Sequence, residues 1–166
     1  MDPVPAKRSA GVLLYRVRED VEVLLGHMGG PFWARKDDGG WSLPKGEAEG
    51  AEDLRDVALR EFAEELGSPL PVPATGLVPL GEARVTSAKL LTVWAAEGDL
   101  DAGAIVSGTF DLEWPPRSGR VQQFPELDRA AWCPVGVART KLVKGQVVFL
   151  DRLLAHLAGG RPDSSG

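Results

Sequence analysis

The sequence predicts a single α/β domain, and three observations carry the prediction. Its 166 residues, 43% of them hydrophobic, suit one compact unit with a core of ordinary size. Apolar, β-branched runs are interspersed with segments of helical spacing, and no repeat or linker composition divides the chain. Residues 1–8 and 159–166 carry Pro, Gly, Ser and charge without apolar pattern, so they read as flexible ends around a domain spanning 9–158.

Taken in order, Ser9 to Val17 and Val21 to Leu25 are strand-like, and the charged turn Arg18-Glu19-Asp20 makes them a hairpin. A glycine-rich, aromatic loop with Trp33 inside it follows from Gly26 to Gly40 and leads to Trp41. Ala51 to Leu66 holds strong helix formers and stops at Gly67, with Pro69 beyond. Leu77 to Thr86 and Lys89 to Ala96 read as strands joined by Ser87-Ala88, and Phe110 to Trp114 as another. A Pro/Gly/basic loop with Arg117 and Arg120 comes next, then an acidic turn and a short strand near Trp132. Pro134 suits the first turn of a helix reaching about Leu142. The last helix runs from about Gly145 to Leu157, where Val147, Leu150, Leu154 and Leu157 recur at helical spacing and read as core.

Nineteen Lys and Arg against 24 Asp and Glu give a net charge of −5, which disfavours bulk nucleic acid or an anionic membrane as partner. One cysteine, Cys133, excludes a disulfide framework and a cysteine-based zinc site; His27 and His156 are too far apart in sequence to suggest a histidine site. Cys133 and His27 therefore read as structural, and any metal would have to bind oxygen. No apolar run approaches the roughly 18 residues of a membrane span, and the N-terminus lacks the apolar stretch of a signal peptide. A cytoplasmic protein is expected.

The acids are concentrated. Glu61, Glu64 and Glu65 stand at i, i+3 and i+4, so at ~100° per residue they share one narrow arc of the helix. Like charges at that spacing repel, and three carboxylates on a rigid element suit a hard, oxygen-seeking cation. A solvated acidic face would have the same pattern. Leu54, Ala58, Phe62 and Leu66 fill an adjacent arc that would hold the helix against a sheet.

Around the triplet the chain reads Gly46, five residues, Glu52, seven residues, Arg60-Glu61, an apolar residue, any residue, Glu64-Glu65, any residue, Gly67. This pattern resembles the signature of the Nudix hydrolase superfamily, with Ser68 standing where the family has an aliphatic residue, a departure that touches packing after the helix. The resemblance implies an α/β/α sandwich around a mixed, curved sheet. It implies a pyrophosphohydrolase dependent on Mg²⁺, with Mn²⁺ as substitute. By the same analogy Glu61, Glu64 and Glu65 are metal ligands, completed by the main-chain carbonyl of Gly46. Arg60 orients a catalytic glutamate or makes an ordinary helix salt bridge, and Glu52 and Gly67 are structural. The general base is Glu64 or Glu61 within the signature, or Glu126 outside it.

Lys45, directly before Gly46, is a candidate phosphate ligand, Trp33 a candidate stacking face for a base, and Arg117 and Arg120 candidate contacts to a polyphosphate tail. The segment from Ser107 to Trp132 resembles bacterial proteins described as predicted NTP pyrophosphohydrolases of the family. The expected substrate is a nucleoside tri- or polyphosphate, dinucleoside forms included. ADP-ribose or nucleotide-sugar cleavage and a catalytically silent nucleotide sensor are the alternatives, and the chain is compatible with a homodimer.

Overall fold

The computed structural model describes residues 6–159, and within them the chain folds into two helical layers around a mixed sheet. Strands β1 (Lys7–Val17) and β2 (Val21–Met28) form the expected hairpin. Two short strands follow, β3 (Trp41–Ser42) and β4 (Lys45–Glu47), and then helix α1 (Leu54–Leu66). Strands β5 (Val78–Thr86) and β6 (Lys89–Glu97) form a second hairpin, and β7 (Thr109–Glu113) pairs only with β8 (Val121–Pro125) in a separate two-stranded sheet. Strand β9 (Leu127–Pro134) returns to β2 and is followed by α2 (Val135–Lys141) and α3 (Val147–Gly159).

Several boundaries differ from the sequence reading, each for a physical reason. β1 begins at Lys7 rather than Ser9, because parallel pairing with β6 starts at Lys7 opposite Lys89. β2 continues through Gly26, His27 and Met28, residues expected in the loop, because β9 pairs with them. Helix α1 starts at Leu54 rather than Ala51: the side chain of Asp53 accepts from the backbone N–H of Arg55 and Asp56 and so caps the helix there. Gly67 ends it in the left-handed conformation at φ 76°, open to glycine at little cost. Strand β8 lies where only a loop and an acidic turn were expected. Residues 1–5 and 160–166, most of the ends read as flexible, lie outside the described residues.

Strand β1 is the axis of the sheet. Its first half pairs with β4, Ala10 opposite Gly46 and Gly11 opposite Lys45; its second half pairs with β2, and β6 runs parallel along its other edge. Alternation along β1 divides the core in two. Leu13 and Tyr15 face α2 and α3, joining Phe149, Leu150 and Leu153, while Ala10, Val12 and Leu14 face α1, joining Val57, Ala58, Phe62 and Leu66. Phe62 is fully buried, and burying a side chain of that kind is worth ~1.5–3 kcal/mol, the force that clamps α1 to the sheet.

The link between β3 and β4 is held from the far side of the sheet. Gln146, 1% exposed, accepts the N–H of Leu43 at 3.0 Å and donates to the Ser42 hydroxyl at 2.9 Å. Gln146 thereby fixes the segment that delivers Lys45 and Gly46 to the end of α1.

Candidate functional site

The fork in β1 brings the start of β4 against α1. A Cβ on Gly46 would stand 2.1 Å from Cδ of Glu61 and 2.3 Å from its Oε2, so the absence of a side chain is what lets that main chain lie against the carboxylate. The N–H of Lys45 donates to Oε2 of Glu65 at 3.2 Å. One strand residue and its neighbour thus touch two of the three clustered acids.

The three acids are not equivalent. Glu64 is exposed and Glu61 half-buried, whereas Glu65 is 8% exposed. Burial, reinforced by the nearby charges of Glu126 and Glu61 and opposed by Lys45, pushes the Glu65 carboxyl up to about 8. Glu61 is also raised, first by burial and then by the charge of Glu64, with Glu126 adding to it and Arg60 opposing. Glu126, from the turn between β8 and β9, is therefore an electrostatic neighbour of both helix acids although it lies far from them in sequence. Its backbone is pinned on both sides: its N–H donates to the Gly108 carbonyl at 2.8 Å, and its carbonyl accepts from Gly29 at 2.9 Å.

Arg60 serves two partners. Its Nη1 donates to Glu52, whose carboxyl is held below its ordinary range chiefly by that bond, and its Nη2 reaches Glu61 at 3.5 Å. Glu52 also accepts the Glu49 N–H at 2.7 Å, so it ties the loop before α1 to the helix. Arg60 is thus both a brace for that loop and a contact of a clustered acid.

A cleft of about 650 Å³ opens at this place, lined by Lys45, Glu47, Glu65, Lys89, Glu126, Trp33 and Phe110 among others. A second compartment of about 250 Å³ adjoins it and shares Met28, Trp33, Ser42, Lys45 and Lys89. Its remaining lining includes Val85, Val143 and Gln146. The cleft therefore has an acidic part and a more apolar part, and two ammonium groups border both.

Of the residues singled out in the sequence, Glu65, Lys45, Trp33 and Glu126 line the cleft, whereas Glu61, which lies against Gly46, and Glu64 are not among its lining residues. Arg117 and Arg120 do not line it; they are exposed in the loop joining β7 to β8. The sequence reading missed Glu47 and Phe110 as cleft residues and named Lys89 only as the start of a strand. The one signal for Lys89 was its place directly after a two-residue turn. Among the described residues, no group of three or more His, Cys, Asp and Glu side chains stands close enough to hold a metal ion as placed. The donors are nonetheless of the right kind: carboxylate oxygens on one helical turn, beside a glycine whose missing side chain lets the main chain lie against one of them.

A family model described as NUDIX domain matches residues 5–153. No protein of curated function matches the chain significantly. Among solved structures, a C. elegans Ap4A hydrolase binary complex is similar at 21% identity and a TM-score of 0.59, over 93% of this chain and 99% of that one. The NUDIX domain of Shewanella oneidensis NrtR, complexed with ADP ribose, is similar at 17% identity and TM-score 0.60, over 94% and 90%. A mutT/nudix family protein from Listeria innocua is similar at 16% identity and TM-score 0.63, over 95% and 98%. At these identities the likeness is one of fold.

Proposed function

The chain belongs to the Nudix family of hydrolases, and we propose that it cleaves a phosphoanhydride bond in nucleoside tri- or polyphosphates, dinucleoside forms included, by water attack on phosphorus. The observation that supports this most is that Lys45, Glu65 and Glu126 line one cleft while the neighbouring Gly46 lies against Glu61. Glu61, Glu64, Glu65 and the Gly46 carbonyl would hold Mg²⁺, or Mn²⁺ in its place. When bound, such a cation screens phosphate charge and lowers the pKa of the attacking water.

The chain's own groups divide the remaining work. Glu126, brought beside the helix acids on a pinned turn, takes the proton of the water, with Glu64 and Glu61 as the other candidates. Lys45 and Lys89 meet phosphate oxygens as point charges between the two compartments. Trp33 offers a face on which a base stacks, next to the apolar compartment. Arg60 keeps Glu61 and the Glu52 loop in register. A small nucleotide in the cytoplasm is the matching partner. No helix among the described residues is long and apolar enough to cross a membrane.

The test is a panel of nucleotides with Mg²⁺ or Mn²⁺ and identification of products. Nucleoside monophosphate plus pyrophosphate, abolished in Glu64→Gln, is the expected result for a triphosphate. AMP plus ribose phosphate from ADP-ribose would replace this substrate class with the alternative, and no turnover of any compound would leave a nucleotide-binding sensor as the better reading.

A further inference from the structure

We propose that His27 is a positioning residue: a buried imidazole that donates from both ring nitrogens and locks the turn carrying Glu126 and the loop carrying Trp33 into one arrangement. The inference rests on the roles given above to those two residues.

His27 sits on β2 with no exposed surface. Its Nδ1 lies 2.9 and 3.0 Å from the two carboxylate oxygens of Asp128, and its Nε2 lies 2.5 Å from the carbonyl oxygen of Lys36. A carboxylate and a carbonyl can only accept, and a neutral imidazole has one N–H. With Asp128 ionised, as its partly exposed carboxylate facing Arg129 favours, both contacts are hydrogen bonds only when the ring carries both protons. A ring with one proton would turn a lone pair toward one of the two acceptors in a space closed to water, a penalty comparable to a lost hydrogen bond.

The charges packed around the ring allow the cation. Asp128 faces it directly and also accepts from Arg129, whose guanidinium lies over Trp41. Trp41 meets His27 edge to face at 5.2 Å and donates to Asp37, itself paired with Lys141. From the loop, the Lys36 ammonium is directed over the Trp33 ring. The one carboxylate in contact with the imidazole compensates its charge.

The two acceptors sit at useful places. Asp128 is two residues beyond Glu126, and the Lys36 N–H donates to the Trp33 carbonyl at 3.0 Å. One ring therefore spans from the turn that presents the proposed base to the loop that presents the proposed stacking face. Loosening the Nδ1 side frees the base; removing the ring frees both walls.

The experiment is proton–nitrogen NMR of ¹⁵N-histidine protein together with kinetics of two variants. His27 should show two protected ring N–H signals. Asp128→Asn should lower kcat ~10-fold with KM unchanged, and His27→Gln should lower kcat and raise KM, in the range of ~10–100-fold seen for groups that orient active residues. A single His27 ring N–H signal, or folded variants with wild-type kcat and KM, would overturn the proposal. Should His27→Gln fail to fold, the wild-type spectrum and Asp128→Asn decide. If no nucleotide is turned over, amide exchange in residues 30–40 of Asp128→Asn and His27→Gln tests the bridge independently. Faster exchange in the histidine variant supports it, and unchanged exchange refutes it.

Discussion

Replacing Gly46 by alanine separates the chemistry of the cleft from the stability of the fold. The added methyl would stand 2.1 Å from Cδ of Glu61 and 2.3 Å from its Oε2, well inside contact distance, so one partner must move. The backbone of Gly46 is held in the ladder opposite Ala10 and cannot yield cheaply, whereas the Glu61 carboxylate is the far end of a flexible side chain. Glu61 therefore rotates away. The stability change should stay within ~1 kcal/mol, because the chain entropy saved by alanine, ~0.5–1 kcal/mol, offsets the cost of displacing the side chain. For a chain of this length that is a shift of no more than ~2–4 °C in Tm. Activity should fall at least ~100-fold, with a matching rise in the divalent cation concentration needed for half-maximal rate, if Glu61 and the Gly46 main chain hold the cation as proposed, since the two are separated at once. Thermal melts and cation titrations of the nucleotide-cleavage rate read the two quantities separately. Wild-type cation dependence in a folded Gly46→Ala protein would refute the role given to this close approach.

Three further outcomes follow from the same geometry. Glu65 binds its proton more tightly folded, at about 8, than its ordinary value of 4.5, so stability falls as pH rises between those values. Melts in EDTA should show that loss, Glu65→Gln should flatten it, and a divalent cation should restore stability most at the alkaline end. Gln146→Leu keeps volume but strands the Leu43 N–H, costing ~1–3 kcal/mol, to be read by urea unfolding; undiminished stability would show that the link between β3 and β4 is held by other contacts. Lys89→Gln should raise KM for a nucleoside triphosphate ~10-fold with a smaller change in kcat, and an unchanged KM would remove Lys89 from the phosphate contacts.

Much of this was legible in the chain because it is local. The helix of the signature announces itself through its apolar arc, its acidic triplet and the glycine that ends it, and both hairpins of the main sheet show as apolar runs around short turns. The parallel pairing of β1 with β6 had no local signal: Lys7 meets Lys89 only because the whole sheet assembles. Strand β8 was hidden because Val121, Gln122 and Gln123 are exposed, so burial left no periodicity to read. The position of Glu126 beside α1 depends on β9 returning to β2. The same return puts Asp128 against His27, so a histidine that looked only structural in sequence is bonded on both sides of its ring.

The division of partners along β1 bears on how the protein is made. One edge of this strand finds β2 after a turn of three residues, but the opposite edge waits for β6, some eighty positions later. On a ribosome adding ~5–20 residues per second, an apolar strand edge is bare for seconds before its parallel neighbour emerges, a template for pairing with other chains. Changes in β6 should therefore show first as poor soluble yield, before any loss of specific activity in the molecules that do fold.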